Sequence, residues 1–93
     1  MHVEVGKLKD VCDALFQHLD ASGISSVEID QDYYWTIESS SLYDAYHEPS
    51  NFALGRLSDD YDFVEKLADG ILDPTTVSFM YVASLLRYLG DKL

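Results

Sequence analysis

Asp44, His47 and Glu48 stand at i, i+3 and i+4, a spacing that on a helix turns three candidate ligands toward one point. The segment ends at Pro49 with no second histidine nearby, and a hard cation needs more oxygen ligands than it brings. The spacing is therefore read as a solvated acidic loop, with no metal expected. Asp59 and Asp60 are adjacent carboxylates, but they follow Ser58 at the head of an apolar-periodic run. Acids in a first turn face the positive end of the helix dipole, and this explains them without acid or base chemistry. Cys12 is the only cysteine and lies among apolar residues of an anionic chain, which is no setting for a thiolate nucleophile. Ser39, Ser40 and Ser41 lack the Gly-x-Ser-x-Gly turn of hydrolases, and Gly55-Arg56-Leu57-Ser58 has too few glycines to cradle a phosphate. No acid, base and oxyanion donor assemble, so the expectation is a protein that is not an enzyme and needs no cofactor.

Charge is the stronger signal. Six Lys and Arg against 17 Asp and Glu give a net charge of −11 and an isoelectric point near 4.2. Nucleic acid and anionic membranes both call for a basic patch, so neither is expected as a partner. Between Asp10 and Gly55 there is no Lys or Arg, while Asp10, Asp13, Asp20, Glu28, Asp30, Asp32, Glu38, Asp44 and Glu48 all fall in that stretch. Such a field keeps a small protein soluble, and it also steers a basic protein toward it. Tyrosine is abundant, at seven residues. Rigid aromatic rings among carboxylates are good anchor material, so a partner-binding face is expected from Glu28, Tyr34, Glu38, Tyr43, Asp44 and Glu48. An inhibitor or immunity-type protein masking a basic partner fits this pattern. The alternative is a homodimeric accessory protein whose acidity serves solubility.

These residues need elements to hold them. Leu8, Val11, Cys12, Leu15, Phe16 and Leu19 follow the period of one helical face, predicting a helix from about Glu4 to Ser22, ended by Gly23. From Val27 to Ile37 the period becomes two, with Val27, Ile29, Tyr33, Trp35 and Ile37 on one side and Glu28, Tyr34, Thr36 and Glu38 on the other. That predicts a hairpin turning at Asp30-Gln31-Asp32, with Asp32 at positive φ, Tyr33 and Trp35 in the core and Tyr34 facing solvent. Ser39 to Ser50 reads as a loop with one helical turn near Leu42 to Tyr46, and Phe52 and Leu54 as a short third strand. A second helix is predicted to open at Ser58 as N-cap and end at Gly70, and a third to run from Asp73-Pro74 to Leu89.

This last helix has two apolar stripes and only Arg87 as a charge before Gly90. It is expected to be the most buried element, with one stripe, through Tyr81, Leu85 and Tyr88, meeting a second copy. The fold class is α+β: one domain over residues 1–93, in the order α-β-β-(β)-α-α, with a small antiparallel sheet and helices on one face. A chain of 10.5 kDa so folded should keep a surface of about 5,400 Å².

Tyr46-His47-Glu48-Pro49, the run Leu54 to Tyr61 and the closing Leu85-Leu86-Arg87-Tyr88-Leu89-Gly90 resemble small acidic bacterial proteins of uncharacterised role. The resemblance covers the last half of the chain and implies a bacterial source but no activity. Met1 to Lys7 lacks the apolar run of a signal peptide, and the lone cysteine fits a reducing compartment, so a cytoplasmic location is expected.

Overall fold

The stripe from Leu8 to Leu19 does form a helix, α1 (Val5–Ala21). It stops where Gly23 takes φ +77; the Ile24 amide donates to Leu19 O and the Gly23 amide to Asp20 O, both at 3.0 Å. This pair of bonds satisfies the last carbonyls of the helix and requires a left-handed residue between them, which glycine supplies without steric cost. The computed structural model describes residues 1–93 and continues with β1 (Tyr33–Ile37), α2 (Ser39–Leu42), β2 (Phe52–Arg56), α3 (Leu57–Ala68) and α4 (Ser78–Lys92). The fold is α+β, with one two-stranded antiparallel sheet.

The hairpin over Val27 to Ile37 is not formed. Residues 24–32 are a connector without regular secondary structure, and β1 pairs instead with β2, in the register Tyr33↔Arg56, Tyr34↔Gly55, Trp35↔Leu54, Thr36↔Ala53 and Ile37↔Phe52. The expected third strand is thus the real partner of the second. Asp32 does not turn the chain, and positive φ occurs only at Gly23 and Gly70. Its role is to cap from a distance. Because β2 runs directly into α3, Ser58 lies inside the first turn rather than at the N-cap. Its amide donates to Asp32 Oδ1 at 2.7 Å and its hydroxyl to Asp32 Oδ2 at 2.8 Å. The Leu57 amide adds a bond to Asp32 O at 2.8 Å. These bonds to the charged form hold the Asp32 carboxyl below the usual carboxylate range, the Ser58 amide foremost.

Helix α4 starts four residues later than Pro74. Thr75, Thr76 and Val77 are β-branched and poor helix starters, so they form turns whose i to i+3 bonds lead in, and Ser78 Oγ accepts the Thr75 amide at 3.1 Å. Expected to be the most buried element, α4 holds no buried residue, whereas α3 holds Leu57 and Asp60. One side, through Tyr81, Ser84 and Leu85, is half-buried against α3 and the sheet, while Phe79 and Met80 remain exposed. Phe63 of α3 stacks on Tyr81 with centroids 4.4 Å apart and planes 6° from parallel. The elements in close contact are β1 with β2, α3 with α4 and α3 with β2; α1 packs broadly on none of them. Only Leu57 and Asp60 are buried.

Candidate interaction face

The face presented by the β ribbon is decided by one polar contact beneath it. Asp60, 5% exposed, lies in the first turn of α3 under the ribbon. Its Oδ2 accepts the Tyr34 hydroxyl at 2.5 Å and the Ser84 hydroxyl, from α4, at 2.6 Å. A buried carboxylate without donors is costly, so two hydroxyls aimed at one oxygen strongly favour this arrangement. Opposite Tyr34 stands Gly55, where a Cβ would meet the Tyr34 ring at 2.5 Å. The missing side chain lets the ring cross the neighbouring strand to reach Asp60. Burial, and secondarily the adjacent carboxylate, push the Tyr34 phenol above its ordinary pKa.

Because side chains alternate along a strand, turning Tyr34 inward turns Tyr33, Trp35 and Ile37 outward, together with Phe52, Leu54 and Arg56 across the register. This reverses the expected parity. Tyr33 and Trp35 are 62% and 70% exposed, and Phe52 and Leu54 are exposed beside them. Trp35 meets Phe52 edge to face at 6.1 Å, and the Arg56 guanidinium lies 5.3 Å from the Tyr33 ring centroid. The outer face is an aromatic plate closed at one end by a cation that Asp32 also holds, at 3.3 Å.

The acidic residues singled out by sequence divide around this plate. Tyr34 is removed from the surface set, since its hydroxyl is committed to Asp60. Glu38, at the end of β1, Tyr43 and Glu48 are exposed, as is Tyr46. Asp44 is turned to local work: Oδ1 accepts the Tyr46 amide at 3.2 Å, and Oδ2 pairs with His47 Nδ1 at 2.8 Å. No third metal-ligating side chain joins them. Glu28 is exposed in the connector, on no strand.

The three residues expected at a dimer interface have partners within the chain. Tyr81 is stacked on Phe63, Leu85 lines a groove with Val64, and the Tyr88 hydroxyl donates to Asp30 Oδ1 at 2.7 Å. Lys92 pairs with the same Asp30 carboxylate and is the main cause of its lowered pKa, with Tyr88 second. That groove, about 570 Å³, runs from Phe16 and Leu19 of α1 to Val82, Leu85 and Leu86 of α4. No helix is long and apolar enough to cross a membrane. Comparison with known protein families, with curated proteins and with solved structures found no match.

Proposed function

We propose that this chain is a small protein-interaction module that docks a basic partner protein on the outer face of its β ribbon. The observation that supports this most directly is the exposure of Tyr33, Trp35, Phe52 and Leu54 together on one surface. Soluble monomers rarely leave a contiguous apolar surface of this kind without using it, and aromatic residues dominate the energetics of protein interfaces. Glu38, Tyr43 and Glu48 follow β1 in the connection to β2 and supply carboxylates and a further ring. The stretch without a cation from Asp10 to Gly55 biases encounter toward a positively charged surface. Among such modules, an inhibitor that covers the basic site of a nuclease or toxin suits this charge best. A bacterial, cytoplasmic setting belongs to the same proposal, resting on the half-chain resemblance and the lone cysteine.

Affinity purification from the source organism tests it. One basic protein should be retained by the native chain, lost with Trp35→Ser, and released at lower salt by the double charge reversal Glu38→Lys, Glu48→Lys. Exposed charges act through a screened field of about 8 Å at physiological ionic strength, so retention should weaken as salt rises. Recovery of no partner sensitive to both changes would reject the reading.

A further inference from the structure

The chain exposes 8,004 Å², whereas a folded monomer of its mass leaves about 5,400 Å². Its radius of gyration is 15.1 Å against about 12 Å for a compact chain of this length. Part of the excess, about 2,600 Å² per chain on the same scaling, lies on α1, which packs broadly on no other element. Val5, Leu8, Val11, Leu15 and Phe16 are all exposed along one side of that helix. We infer that this surface is covered by a second copy of the same chain, in a twofold dimer in which the two α1 helices pair antiparallel and each reaches the other copy's groove.

Three observations select a second copy over a different partner. The stripe is complementary to itself. An antiparallel alignment that sets Leu8 against Leu19 also sets Val11 against Phe16 and Cys12 against Leu15, matching all six residues of the stripe from Leu8 to Leu19; a twofold interface demands such self-complementarity. The charges agree with the same alignment. Lys9 and Asp20 are eleven residues apart, close to three helical turns, and so border the same edge of the stripe. Like edges meet in an antiparallel pair, which brings Lys9 of each copy, paired with Asp13 on its own helix at 2.8 Å, toward Asp20 of the other. Helix α1 also carries little of the acidity that would drive two copies apart, because Val5–Ala21 holds two Lys against three Asp within a chain of net charge −11.

Area supports the same conclusion. Covering even half of this excess on each of two chains would bury about 2,600 Å² in total, within the range of obligate homodimers. The alignment lays the N-terminal half of one α1 along the C-terminal half of the other. There Phe16 and Leu19 line the apolar groove together with Leu85 and Leu86. Val5 and Leu8 of the second copy thereby reach the groove mouth. This interface is separate from the ribbon plate, so either can fail without the other.

Light scattering across micromolar concentrations should return twice 10.5 kDa, and a short bis-maleimide linker should trap two chains through Cys12, the only thiol. Leu15→Glu should halve the mass and abolish the cross-link. Lys9→Glu should raise the dimer dissociation constant at least tenfold, and adding Asp20→Lys should restore most of it, a rescue that misfolding cannot mimic. Trp35→Ser should leave the dimer intact. A native chain of 10.5 kDa throughout, or a dimer that ignores Leu15→Glu and resists cross-linking through Cys12, overturns the inference.

Discussion

The two faces of the β ribbon are built from neighbouring residues and are held in opposite ways. On the inner face Tyr34 reaches past Gly55 to a carboxylate that is almost wholly buried, and Ser84 closes the same oxygen from α4. On the outer face Trp35 and Tyr33 project into solvent with only Phe52 and Arg56 as neighbours in ring contact. The contrast shows that a polar pin can outrank apolar alternation in choosing a strand's orientation. Stranding a buried polar group costs about 1–3 kcal/mol, and more when it is charged, against about 1.5–3 kcal/mol for leaving one large apolar side chain exposed. Gly55 and Ser84 tip the balance toward the pin.

The largest break in that contrast should come from Asp60→Ala, which leaves the inward Tyr34 hydroxyl without its acceptor and Ser84 with only the Tyr81 carbonyl, at 2.8 Å. A loss of about 2–4 kcal/mol is expected in urea denaturation, and a loss below about 0.5 kcal/mol, the size of a typical surface change, would mean that Asp60 does not orient the ribbon. Gly55→Ala comes next, at about 1–3 kcal/mol, because its methyl enters the space of the Tyr34 ring. A double-mutant cycle sharpens the point. In a Tyr34→Ala background the Gly55 change should cost little, since the colliding ring is gone, and additivity would assign Gly55 another role.

Acid should act on the approach to the ribbon. Asp32 and Asp30 have lowered pKa values in the folded chain, so the unfolded chain takes up their protons first. Their contribution is present above the ordinary carboxylate value of about 3.9 and is lost as pH falls through the lower folded values. Thermal melting followed from pH 6 downward should therefore decline most steeply below about 4, and Asp32→Asn should flatten the decline. The smallest stability effect belongs to the outer face, where Trp35→Ser should change stability by no more than about 0.5 kcal/mol while removing partner binding. A large loss of stability would show that the plate is part of the core.

Much of the fold was legible in local signals. The period of α1 and the glycines that end α1 and α3 act through residues close in sequence. The Ile24 to Leu19 bond and its counterpart, Ile71 to Lys66, are short-range consequences of Gly23 and Gly70. What the pattern concealed was pairing across distance. Odd-position alternation from Val27 to Ile37 fits a local hairpin as well as a strand whose partner begins at Phe52, and only the second places Gly55 beside Tyr34. Asp60 had already been explained as a first-turn acid, so nothing in its neighbourhood marked it as an acceptor for Tyr34 and Ser84. Glu38, Tyr43 and Glu48 were found as exposed residues because loops carry their charges outward whatever the strands do.

Trp35 is the only tryptophan, and its place on the outer plate determines what light can report about this protein. With its indole largely in water, the emission of the folded chain should already lie near that of an unfolded one, so fluorescence will follow denaturation poorly. The same indole would lose its water when the plate is covered. Its emission should then move to the blue, making an optical signal that is nearly silent to folding and responsive to docking.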